Sequence, residues 1–151
     1  MVFADKTPYI IELETPHEDY RVMFLRPRRF GKSSFLNMLC EYYDIHTTHM
    51  FVDLFGPLYI GRNKTHSANS HLVLKFDLSS ILLNTTIERM EQIFNDEINR
   101  ILRTFVIKYS RELGYPSIDE LINPTNATHS LLEVLVGCCS SGYIGFGCPS
   151  C

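Results

Sequence analysis

The stretch Arg26-Pro27-Arg28-Arg29-Phe30-Gly31-Lys32-Ser33-Ser34 holds the residues of this chain whose types and order could do chemistry. Its core, Gly31-Lys32-Ser33, matches the end of the pattern G-x-x-x-x-G-K-S/T, the Walker A form of a phosphate-binding P-loop. Each residue has a physical task in such a loop. Gly31 lets backbone amides approach phosphate oxygens with no Cβ in the way. Lys32 carries a point charge that reaches the β- and γ-phosphates. Ser33 offers a hydroxyl to a Mg2+ ion bridging those phosphates, which makes it the metal-contacting candidate. Arg28 and Arg29 add positive charge beside them. The candidate cofactor-binding set is Arg28, Arg29, Phe30, Gly31, Lys32, Ser33 and Ser34, with ATP and Mg2+ as the ligands. The position of the first motif glycine is Arg26, where the general pattern fails. The plainer reading of the same residues is a basic turn at a helix start, with its lysine and arginines solvated.

Such a loop works only between a strand and a helix, and the flanking sequence has that form. Residues 20–26, YRVMFLR, are an apolar run with β-branched and aromatic content, stopped by Pro27. They read as a buried strand of a parallel sheet. From Gly31 the period changes, and Phe35, Leu36, Met38, Leu39, Tyr42 and Tyr43 recur at helical spacing. The helix spans about 31–43. Residues 46–70 read as loop with a small apolar insert, and His71–Leu78 as a second strand. Thr85 and Glu88 match a capping box. Behind them Ile87, Met90, Phe94, Ile98, Ile101, Phe105 and Tyr109 form one apolar stripe, closed by Gly114 and Pro116. A weaker helix is expected over about 128–136. This alternation predicts an α/β fold, specifically a P-loop NTPase-like three-layer arrangement with few parallel strands and flanking helices.

The chain has 151 residues, 45% hydrophobic and 21% charged, which is the composition of one ordinary globular domain. Its net charge of -3 argues against a domain that grips nucleic acid along its length, so nucleic acid is not the expected partner. No basic flank leads into an apolar run at the N-terminus, and no apolar stretch approaches a bilayer span of roughly 20 residues. The expected compartment is therefore cytoplasmic, with the nucleus as the alternative, and no membrane is expected as a partner.

Of the five cysteines, Cys40 lies in the helical pattern and Cys138, Cys139, Cys148 and Cys151 crowd the last residues. A single terminal C-x-x-C beside an adjacent pair is a poor match to a zinc site, which needs two such knuckles. Residues 137–151 are read as a Cys/Gly-rich tail with no assigned element. The histidines at 17, 46, 49, 66, 71 and 129 show no metal-binding helical spacing.

Taken together, Ala4-Asp5-Lys6-Thr7, the run Phe24-Leu25-Arg26-Pro27-Arg28-Arg29-Phe30-Gly31-Lys32-Ser33, and Tyr42-Tyr43-Asp44 resemble the predicted AAA-ATPase-like family. Its members open with V-D-K-T and carry the loop in the form R-P-R-R-F-G-K-S. Leu54-Phe55, Leu58-Tyr59-Ile60-Gly61 and Leu74-Lys75-Phe76-Asp77-Leu78-Ser79 are similar to its following segments. The resemblance covers roughly residues 3–135, and under it Arg26 belongs to the motif. It implies ATP–Mg2+ binding by the N-terminal part of such a domain, over residues 1–136.

The resembled family supplies its acidic Walker B site in a later strand of V-L-I-D-E-Y-D type. No equivalent Asp-Glu pair is recognisable after Leu131 here. Asp77 is the candidate within the chain, but its neighbours match the family's earlier strand, so a structural hydrogen-bonding role is favoured. Phosphoryl transfer needs several positioned groups acting together. The expected activity is therefore nucleotide binding with very slow hydrolysis, and no catalytic residue is assigned. The alternative is a non-enzymatic interaction module or a remnant fragment of such a protein.

Overall fold

Pro8 sets the backbone angle of a first helical residue and lacks the N–H that such a residue cannot use. It opens α1 (Pro8–Glu14) directly after Thr7. In the computed structural model, which describes residues 4–15, 22–79, 81, 85–114, 118 and 121–140, the helices continue as follows. They are α2 (Lys32–Tyr43), a 3-10 helix at Ile45–Met50, α3 (Phe51–Phe55), α4 (Tyr59–Arg62), α5 (Ile87–Lys108), α6 (Ser110–Leu113) and α7 (Ala127–Ser140). They fall into two compact units, the first running to Val73 and the second beginning at Leu74.

The three-layer α/β arrangement expected from the sequence is not the fold. Among the described residues there is no sheet, and the β-type pairing they show is an isolated parallel bridge between Asp44 and His71. Residues 22–27 form no regular element, and Val22, Met23 and Leu25 are 60%, 80% and 75% exposed instead of buried. Residues 72–78 likewise form no regular element, with Phe76 and Leu78 exposed. The physical reason is that an apolar run has strand propensity but becomes a strand only through a hydrogen-bond ladder to a neighbour. Neither segment has that ladder among the described residues.

The core of the first unit is built from Ile10 of α1, Tyr42 of α2, Phe51 and Phe55 of α3, Ile60 of α4, and Ala68. Residues 46–70, expected as loop, therefore supply half of this core through two very short helices. Helices of four or five residues have almost no stability of their own. They persist because their aromatic and aliphatic side chains are sealed against α2. Tyr42 lies edge-on to Phe55 at 5.4 Å, and its hydroxyl accepts the Thr65 N–H at 2.9 Å. Gly61 is required by close approach: a Cβ there would lie 2.0 Å from the Phe55 carbonyl oxygen. Residues 69–71 close the end of α2, with Asn69 N–H bonded to the Tyr42 carbonyl and His71 N–H to that of Tyr43.

In the second unit α5 packs along α7. Ile98, Ile101, Leu102, Phe105, Val106 and Tyr109 are buried, whereas Ile87 and Phe94 at the start of the predicted stripe are exposed. The helix begins one residue later than the capping box implied. Thr86, not Thr85, accepts the N–H of Arg89, at 3.3 Å, so Glu88 falls outside the box position. Helix α7 covers the expected 128–136 and continues through Ser140. Residues 141–151, including Cys148 and Cys151, lie outside the described residues. No helix among the described residues is long and apolar enough to cross a membrane.

Candidate functional site

Gly31 stands at the junction that matters, as the N-cap of α2, with φ 74° and ψ 31°. Left-handed backbone is the conformation in which a glycine has the advantage. Arg29 also has a positive φ, 66°, an uncommon conformation for a residue with a Cβ. Two left-handed residues around Phe30 turn the chain from segment 22–27 into α2.

The approach to the turn is pinned by aromatics. Phe24 stacks on Phe35 of α2 with ring centroids 4.9 Å apart, and Tyr9 of α1 meets Phe35 edge-on at 6.4 Å. Phe35 itself is buried. Arg26 holds its guanidinium 5.9 Å from the Phe24 ring centre, a cation–π contact.

Lys32, the first residue of α2, folds back over the turn. Its Nζ donates to the carbonyl of Arg26 at 2.7 Å and to that of Pro27 at 3.3 Å. Ser33 and Ser34 follow in the first turn of α2 with exposed side chains. Arg28, Arg29 and Phe30 are exposed as well. All seven residues singled out from the sequence are thus gathered on one turn and one helix start, six of them exposed and Gly31 half-buried.

A second cation comes from outside the motif. Lys6 Nζ donates to the carbonyl of Phe30, and a Cβ added to Gly31 would lie 3.1 Å from that same Nζ. Its two neighbours hold it in place. Asp5 accepts the Thr7 N–H at 2.9 Å and the Thr7 hydroxyl at 2.7 Å through Oδ1, and the Tyr59 N–H at 2.8 Å through Oδ2. Thr7 Oγ1 accepts the Ile60 N–H at 3.2 Å. The first N–H groups of α4, like those of any helix, have no partner within it, and Asp5 and Thr7 cap them from more than fifty residues away.

Burial pushes the Asp5 carboxyl up, but the bonds from Tyr59 and Thr7 outweigh it and hold the group below its usual value. Sequence reasoning gave Asp5, Lys6 and Thr7 no role of their own. An Asp two residues before a Thr is a local signal for such a turn, but the contact of Lys6 with Phe30 is visible only in three dimensions.

A family model described as predicted AAA-ATPase matches residues 1–140. The chain belongs to the predicted AAA-ATPase-like family. The match spans both the Asp5-Lys6-Thr7 segment and the turn at 26–34. No curated protein and no solved structure matches the chain.

The acidic candidate of this AAA-ATPase-like chain is differently employed. Asp77 lies in the second unit, where its Oδ1 accepts the Ser79 N–H at 3.0 Å. Hydrogen bonds from Ser79 hold its carboxyl below the ordinary range. That is the structural hydrogen-bonding role favoured from the sequence. Glu133 has an exposed side chain 3.9 Å from His129 Nε2, one turn along α7. Cys138 and Cys139 lie half-buried near the end of α7, in the reduced form. Burial, followed by the neighbouring Cys139, raises the Cys138 pKa and keeps that thiol protonated near neutrality. Among the described residues no group of three or more His, Cys, Asp or Glu side chains is placed to hold a metal ion.

Proposed function

We propose that the turn over residues 26–34 binds the phosphate groups of ATP as its Mg2+ complex. The observation that carries this reading is the position of Lys32, whose ammonium lies back across the turn on the Arg26 and Pro27 carbonyls. The cation therefore lies against the turn that its own helix closes. An entering polyphosphate would exchange those neutral acceptors for anionic oxygens, adding the attraction of opposite charges to bonds that the ammonium already makes.

The backbone acts in the same direction. The first N–H groups of a helix have no partner within it, and their end of the helix carries partial positive charge. Gly31 has no side chain to shield them, so residues 28–33 can direct backbone N–H groups at phosphate oxygens. Arg28 and Arg29 add exposed positive charge beside Phe30, and Ser34 continues the same helical turn. Ser33, second in α2, is the residue that would hold Mg2+. Membership of a predicted AAA-ATPase family supports a nucleotide as the ligand.

The reading is binding with slow turnover, because no Walker B Asp-Glu pair is recognisable after Leu131. Equilibrium binding of a fluorescent ATP analogue in the presence of Mg2+ tests it. Lys32→Ala should weaken affinity by at least about tenfold, roughly 1.4 kcal/mol. Equal affinities for the two proteins would sink the proposal.

A second reading, an interaction module without nucleotide, draws on the exposure of Val22, Met23 and Leu25 in the segment before the turn. A ligand that binds only the native state must raise its thermal transition. A transition left unmoved by saturating ATP–Mg2+ would favour this second reading.

A further inference from the structure

We propose that Lys6 is a second phosphate-contacting lysine of this turn, presented to the ligand by Asp5 and Thr7. The inference rests on the phosphate-binding reading of residues 26–34 and adds to it a residue from outside the motif. Three observations carry it.

The first is convergence. Two ammonium groups, separated by 26 positions in sequence, are bonded to carbonyls of one five-residue stretch: Lys32 to Arg26 and Pro27, and Lys6 to Phe30. Like charges placed on the same short turn raise the free energy of the ligand-free state unless an anion comes between them. The second is the arrangement of the segment that carries Lys6. Asp5 and Thr7 both reach the first N–H groups of α4, while the residue between them reaches the turn. Thr7 is fully buried, whereas Lys6 is half-buried with its charged end at the turn. The flanking pair is thus a fixed mount, and its effect is to place one flexible cation at Gly31.

The third is the valence of the group. An ammonium has three N–H donors and no acceptor, and the Phe30 carbonyl takes one of them. Together with the N–H groups at the start of α2, Lys6 and Lys32 form a pair of cations suited to an extended polyphosphate more than to a single phosphate. The ligand class is accordingly a nucleoside di- or triphosphate, with the charge of the phosphate chain setting the affinity.

A merely structural role, bracing the turn through the Phe30 carbonyl, makes a different prediction. Lys6→Gln keeps an N–H donor for that carbonyl and removes the charge, whereas Lys6→Arg keeps both. Binding of a fluorescent ATP analogue would be measured for wild type, Lys6→Gln, Lys6→Arg and Lys32→Ala over a series of NaCl concentrations.

The expected result for Lys6→Gln is about a tenfold loss of affinity with a shallower salt dependence, since one fewer cation is neutralised on binding. Lys6→Arg should stay within a few-fold of wild type. If Lys6→Gln binds as tightly as wild type, or weakens with an unchanged salt slope, Lys6 is a brace and the proposal falls while the phosphate-binding reading stands. If wild type itself fails to bind the analogue, that reading falls and takes the role of Lys6 with it. Thermal transitions of the variants, measured in parallel, separate loss of contact from loss of fold. A Lys6→Gln protein that melts early is replaced by Lys6→Met, read against the same salt series.

Discussion

Thr7 Oγ1 accepts the N–H of Ile60 at 3.2 Å across 53 positions of chain, and both residues are sealed from solvent. This bond ties the start of α1 to the start of α4, and with Asp5 it makes the N-terminal segment part of the first unit's framework. Replacing the hydroxyl by a methyl of the same shape, Thr7→Val, leaves the buried Ile60 N–H without its acceptor. An unsatisfied buried donor costs about 1–3 kcal/mol. The urea midpoint should fall accordingly, and Thr7→Ser, which keeps the oxygen, should recover most of the loss. A Thr7→Val protein as stable as wild type would mean that the bond contributes nothing.

Gly31 provides a second measurable dependence. Its φ of 74° disfavours any residue with a Cβ, and an added Cβ would press on Lys6 Nζ at 3.1 Å. The lysine end can yield by a few tenths of an ångström, so the backbone is the larger penalty. Gly31→Ala should destabilise by about 1–2 kcal/mol, with Gly31→Asn milder because Asn tolerates left-handed backbone. Thermal melts should rank the proteins Gly, Asn, Ala in falling order. An alanine variant that melts with wild type would show that the turn does not hold this conformation.

The pH response of the same region follows from Asp5. Its folded-state pKa lies below the unfolded one because Tyr59 and Thr7 bonds to the carboxylate outweigh burial. A depressed acid contributes stability above its unfolded pKa, about 3.9, and loses that contribution as pH falls through the lower folded value. Wild type should therefore exceed Asp5→Asn in stability near pH 6, and the gap should narrow below about pH 4. The side chain is largely exposed, so solvent screening keeps the gap modest. Chemical denaturation of both proteins at intervals from pH 6 to 3 checks this, and a gap that widens toward acid would refute it.

What could be read from the sequence was local in origin. The period of Phe35, Leu39 and Tyr42 marks α2, and the stripe from Ile98 to Tyr109 marks the buried face of α5. The capping position moved by one because Thr85 and Thr86 offer the same hydroxyl, and only the observed geometry selects between them. Helices α3 and α4 escaped notice because four or five residues carry too little period to reveal a helix. Residues 20–26 misled for the opposite reason: apolar and β-branched composition indicates strand propensity, while the described part of that segment lies exposed.

The sequence by itself determined the cluster of residues with possible chemistry. A glycine, a lysine and two serines at the start of an amphipathic helix stand together because they are adjacent in the chain. It also placed the chain in its family, through motifs that are linear patterns. Only the tertiary structure decided that the apolar segments 22–27 and 72–78 form no sheet among the described residues, since pairing depends on distant neighbours and not on propensity. It likewise decided that Lys6 joins Lys32 at the turn. That juxtaposition depends on Asp5 and Thr7 capping a helix more than fifty residues away, and such a contact leaves no spacing in the sequence to read.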